Sequence, residues 1–136
     1  MKKINCILLI DDSDSDNEFH TLIIRKAEIC NHIRIAEDGV HGLSYIKKAA
    51  EPGNDELYPK PDLIFLDINM PRMNGFEFLE AYHKLEEPLR ESIVIAMLTT
   101  SLNPEDHTKA LDSGVIDFAN KPLTKALLER ILDKFF

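Results

Sequence analysis

Short apolar runs alternate along this chain with segments whose apolar residues recur at helical spacing. That alternation limits the fold more than any other feature. The runs fall at residues 6–10, 33–36, 63–66 and 93–98, with a weaker one at 115–119. Each is bounded by polar or turn residues and is rich in β-branched side chains, the pattern of strands buried on both faces. Between them, Phe19, Leu22, Ile23 and Ala27 fall at helix spacing, as do Val40, Leu43 and Ile46, then Phe78, Leu79, Tyr82 and Leu85. Cys30 reads as the end of the first helical stretch. Asn103-Pro104-Glu105-Asp106 opens a fourth helix, with a capping Asn, proline at the first helical position and acids in the first turn. A fifth starts near Thr124 and turns Leu127, Leu128, Ile131, Leu132 and Phe135 inward. Five strands alternating with five helices predict an α/β fold, a doubly wound parallel sheet. Residues 51–61 hold three prolines and a glycine and read as a long loop.

A length of 136 residues predicts a single domain over residues 1–136, with no output domain. The net charge of −8 argues against binding nucleic acid and favours cations and basic partners. No stretch is long enough to span a membrane, and the apolar run after Met1 is too short for a signal peptide. Cys6 and Cys30 are expected to be free thiols in a reducing compartment, which places the protein in the cytoplasm. The five histidines show no ligand spacing.

Acids follow two of the apolar runs directly. Asp11-Asp12 come after Ile10, and Asp67 comes after Leu66, shortly before a Met70-Pro71 turn. Ligands of a doubly wound sheet bind outside the carboxyl ends of its strands. Three carboxylates released there would crowd one crevice, which is unfavourable without a cation between them. A hard divalent ion, Mg²⁺, is the expected cofactor. Singly, each acid has a blander reading: Asp11-Asp12 as a helix-dipole partner, Asp67 as a turn residue. Two further strand ends add Thr99-Thr100-Ser101 and Asn120-Lys121-Pro122, hydroxyls and an ammonium suited to phosphoryl oxygens. Such a set suits phosphoryl transfer, in which a carboxylate can itself be the nucleophile.

With these motifs the whole chain resembles the CheY-like response regulator receiver domains of two-component signalling. Asp11-Asp12 match the family's acidic pair. Asp67, in Phe-Leu-Asp-Ile-Asn-Met-Pro-Arg-Met-Asn-Gly, matches its phospho-acceptor; Thr99 matches its hydroxyl residue; Lys121-Pro122 matches its Lys-Pro pair; Phe118 falls at its switch aromatic. The resemblance implies a flavodoxin-like sheet of order 2-1-3-4-5. It implies that Asp12, Asp67 and the Asn69 backbone carbonyl bind Mg²⁺, with Asp11 acting mostly through a coordinated water. Asp67 would accept phosphate from a phosphohistidine on a sensor histidine kinase or phosphotransfer protein. Lys121 and Thr99 would hold the phosphate, and Phe118 would turn inward. A downstream protein target would read the altered face, and the Lys121–Pro122 bond would be cis. Read from the residues alone, Phe118 is plain core.

Asn74 stands where the family commonly has an acid, and Thr100 where it has a smaller residue. The 51–61 loop is longer than in a minimal receiver and is similar to that of small regulators paired with phytochrome-type kinases. Output is expected through protein contacts, with a homodimer through the last helix as one form. The chain is not expected to be an enzyme. The rival readings are a phosphatase of the haloacid dehalogenase type, which places its nucleophile after the first strand as Asp-x-Asp, and a binding-only pseudo-receiver.

Overall fold

Each apolar run contributes a strand. The computed structural model describes residues 3–136. The chain passes through β1 (Ile4–Ile10), α1 (Asp14–Ala27), β2 (Cys30–Ala36), α2 (Gly39–Ala49), β3 (Leu63–Leu66), α3 (Gly75–His83), α4 (Glu87–Arg90), β4 (Val94–Thr99), α5 (Pro104–Asp112), β5 (Asp117–Asn120) and α6 (Lys125–Phe135). All strand pairs are parallel, in the order β2-β1-β3-β4-β5. The order reverses between β1 and β3, so their carboxyl ends open a crevice between helices on opposite faces.

Strand alternation explains the two core layers. Leu8, Ile10, Ile64 and Leu66 point to one face and pack with Ile46, Phe78, Leu79 and Tyr82 of α2 and α3. Ile7, Leu9, Leu63 and Phe65 point to the other and meet Ile24 of α1 and Leu128, Ile131 and Leu132 of α6. Burial from both sides accounts for the unbroken apolar stretches Cys6–Ile10 of β1 and Leu63–Leu66 of β3.

The departures from expectation lie at the margins. Among the described residues there are six helices rather than five, because Glu86-Glu87-Pro88-Leu89-Arg90 winds a single turn, α4, with Pro88 in its first turn. Four residues carry too little periodicity to be read. Cys30 begins β2 instead of ending a helix: Glu28 adopts a left-handed conformation (φ 54°) that closes α1 after Ala27. β2 and β5 have one neighbour each, so they are largely half-exposed rather than buried on both faces. β5 runs from Asp117, with Val115 buried ahead of it. Phe135 and Phe136 are both half-buried against the α1–α6 layer.

The 51–61 segment forms neither helix nor strand, yet it is anchored. The Tyr45 hydroxyl donates to the Pro59 carbonyl at 2.7 Å, Tyr58 packs edge-on against Tyr45, and Asn54 donates to the Lys48 carbonyl.

Candidate functional site

Sheet register brings the acids together. Ile10 pairs with Leu66, so Asp11 and Asp67 leave the sheet side by side. Asp11 donates its backbone N–H to the Ala36 carbonyl, and Asp67 donates to that of Ile10. Carboxylate oxygens of Asp11, Asp12 and Asp67 lie within 4.8 Å of one another. Asp11 and Asp67 are buried, and Asp12 is exposed. Burial pushes the Asp67 carboxyl above the usual carboxylate range, and the nearby Asp11 charge adds to this. The Lys121 ammonium, the Ile68 N–H and the Thr99 hydroxyl only partly offset it.

Local structure fixes the rest. The Asp11 carboxylate accepts from the Ser13 N–H, Ser13 caps α1 through the Asp16 N–H, and Asn17 donates to the Asp11 carbonyl. The Lys121 N–H bonds the Thr99 carbonyl at 2.8 Å, joining the ends of β4 and β5, and the Lys121–Pro122 bond is cis. The Lys121 Nζ lies 2.6 Å from Asp11, 2.8 Å from Asp16 and 3.7 Å from Asp67. Burial alone would lower the lysine's pKa, but its bonds to Asp11 and Asp16 raise it above the ordinary value. The ammonium therefore stays charged among acids. Thr99 is fully buried, and its Oγ1 accepts from the Ser101 N–H at 3.2 Å. Thr100 and Asn69 are exposed, Asn69 two residues past Asp67.

Asp11, Asp12, Asp67 and Lys121 thus share one crevice, with Thr99 buried at the end of the neighbouring strand β4. Phe118 stands apart, half-buried within β5 and stacked on His107 of α5 (centroids 4.9 Å apart, planes at 10°). The donor set, all carboxylate oxygen and short of positive charge, fits a hard divalent cation.

The loop that follows Asp67 is held at two points. Gly75 opens α3 so close to the preceding strand that a Cβ there would overlap the Asp67 carbonyl oxygen and approach the Ile68 Cα to 3.0 Å. Asn74 and Glu77 form a reciprocal capping box beside it, so asparagine keeps the cap in place of an acid. Gly75→Ala is expected to destabilise the fold by about 1–3 kcal/mol, since backbone must move. The denaturant midpoint should fall, and Mg²⁺-dependent stabilisation should weaken with it.

The second hold was not read from the sequence. Arg72, at φ 65°, bonds the buried Asp38 that caps α2. Burial opposes ionisation of Asp38, but the His41 N–H, the Arg72 guanidinium and the His41 ring hold its carboxyl down to about 2. A depressed folded pKa means stability that is complete above the unfolded value of about 3.9 and is lost as pH falls toward about 2. With Arg72 exposed and screened by water, the expected contribution is about 1–2 kcal/mol. The stability gap between wild type and Asp38→Asn should be open at pH ~5 and closed near pH ~2, as measured by urea denaturation.

The family described as response regulator receiver domain matches residues 7–133. The chain belongs to that family. Its strand order is that of CheY-like receivers. This receiver is 31% identical over 100 residues to response regulator Rcp1 of Synechocystis, covering 74% of this chain and 65% of Rcp1. The Mn²⁺-bound form of Rcp1 superposes with a TM-score of 0.70 at 27% identity, over 93% of this chain and 88% of that one. A two-component response regulator of Cytophaga hutchinsonii gives a TM-score of 0.81 at 31% identity, over 98% of both chains. The phosphorylated cyanobacterial phytochrome response regulator RcpA gives 0.73 at 26%, over 97% and 89%. The receiver spans 10% to 65% of the length of the curated relatives it matches. No helix among the described residues is long and apolar enough to cross a membrane.

Proposed function

We propose that Asp67 is the phospho-acceptor of a Mg²⁺-dependent receiver and takes its phosphoryl group from a phosphohistidine on a sensor kinase or phosphotransfer protein. The observation that carries this is one crevice holding Asp11, Asp12, Asp67 and a charged Lys121, with Thr99 buried at the end of the neighbouring strand. The Asp67 carboxylate oxygen forms the new P–O bond as the P–N bond to the donor imidazole breaks. Asp11, Asp12, Asp67 and the Asn69 carbonyl would hold Mg²⁺. The ion would neutralise charge shared by the carboxylates and the phosphoryl oxygens. Lys121 and Thr99 supply donors to the phosphoryl group, and Phe118 turns inward as Thr99 moves. The α5–β5–α6 face then changes for a downstream protein, with a cytoplasmic kinase of the phytochrome type as the upstream partner. The Mn²⁺-bound form of Rcp1 and the phosphorylated form of RcpA support the reading.

Incubation with Mg²⁺ and acetyl phosphate tests it by intact mass. Gain of one phosphoryl group per chain is expected. Many turnovers of a phosphomonoester would instead mark a phosphatase, and neither event would mark a binding-only domain. We also propose a homodimer through α6, with the half-buried Phe136 at its end. A monomer mass at every concentration in light scattering, with and without phosphoryl mimic, would exclude it.

A further inference from the structure

Lys121 is shared among three acids, and one of them has no part in the metal set. Its ammonium donates to Asp16 Oδ2 of α1 at 2.8 Å and contacts Asp11 at 2.6 Å, while Asp67 stands off at 3.7 Å. Asp16 is placed for this by the first turn of α1, where Ser13 caps the Asp16 N–H. The hydrogen bond to Lys121 holds the Asp16 carboxyl below the ordinary range, so it is ionised and competes as a full charge. An ammonium has three N–H donors. Two short bonds to acids leave one for everything else, including an incoming phosphoryl oxygen.

We propose that Asp16 is a positioning residue that holds Lys121 toward α1, so that a phosphoryl group on Asp67 must draw the ammonium away from it. This rests on Asp67 being the phospho-acceptor. Asp16 is part-exposed, at 39% of its side chain, whereas Lys121 is 9% exposed. The carboxylate can therefore swing into water when the lysine leaves, and the lysine stays in the crevice. The release is a local exchange of one charge-assisted hydrogen bond for another. Its cost sets how tightly the site holds a phosphoryl group and how far Lys121 is committed to it.

The test is the affinity of the Mg²⁺-loaded protein for beryllofluoride, a phosphoryl mimic, followed by ¹⁹F NMR. Asp16→Asn and Asp16→Ser should each bind roughly threefold to tenfold more tightly than wild type, the net range of one ordinary hydrogen bond, since the part-exposed Asp16 is screened by water. Asp14→Asn removes a neighbouring exposed charge that does not touch Lys121 and should leave affinity unchanged. Equal affinity in all four proteins, or a gain in Asp14→Asn as large as in the Asp16 variants, would overturn the proposal by reducing it to bulk charge. Weaker binding in both Asp16 variants with unchanged thermal midpoints would overturn it by making Asp16 a support for Lys121. Failure of wild type to bind the mimic would count against Asp67 as acceptor, and the Asp16 proposal would fall with it.

Discussion

Asp67→Asn should abolish phosphoryl uptake and, in the absence of divalent cations, raise the thermal midpoint. The first effect follows from the nucleophile: an amide oxygen carries no charge with which to attack phosphorus. The second follows from the crowding. Asp67 is buried beside Asp11, and burial and the Asp11 charge both disfavour its ionised form. Asparagine keeps the shape and removes the charge, so the apo fold gains stability. Mg²⁺ should narrow or reverse the difference. Wild type gains RT ln(1 + [L]/Kd), about 1.4 kcal/mol at tenfold over Kd, while the variant has lost a ligand. A variant that is less stable than wild type without metal would contradict the crowding argument, whatever its phosphorylation.

The second large effect is expected at Lys121→Ala. Its ammonium is buried and is the only cation within 4.0 Å of Asp11, Asp16 and Asp67 among the described residues. Removing one partner of a buried ion pair costs about 3–5 kcal/mol, because the remaining charge is left uncompensated. Here Asp16 is part-exposed and can turn to water, so the lower end, about 3 kcal/mol, is expected in metal-free buffer. Mg²⁺ should restore part of the loss by replacing the missing positive charge. Urea denaturation with and without Mg²⁺ checks both points, and equal stability of variant and wild type without metal would refute the account of Lys121.

The central strands and the acids that follow them were readable because their determinants are local. An apolar run read as buried on both faces and ending in a carboxylate is visible in a few consecutive residues, as at Leu66-Asp67. The edge strands differ from the reading only at their ends, because partial exposure dilutes the pattern: β2 begins earlier, at Cys30, and β5 later, at Asp117. α4 is too short to show a period. Asp16 and the Arg72–Asp38 bond were not legible for a different reason. Both depend on which way a helix turn or a loop faces another element, 105 and 34 residues away in sequence. Phe118 was read from family resemblance, and the structure puts it on His107, a contact that no spacing announces.

Borohydride trapping tests the acceptor most directly. The protein is phosphorylated with acetyl phosphate and Mg²⁺, reduced, digested and mapped by tandem mass spectrometry. Reduction of an aspartyl phosphate yields homoserine, and homoserine is expected at position 67 alone. A phosphoryl gain in intact mass with aspartate unaltered at position 67, or homoserine at another position, would contradict the account.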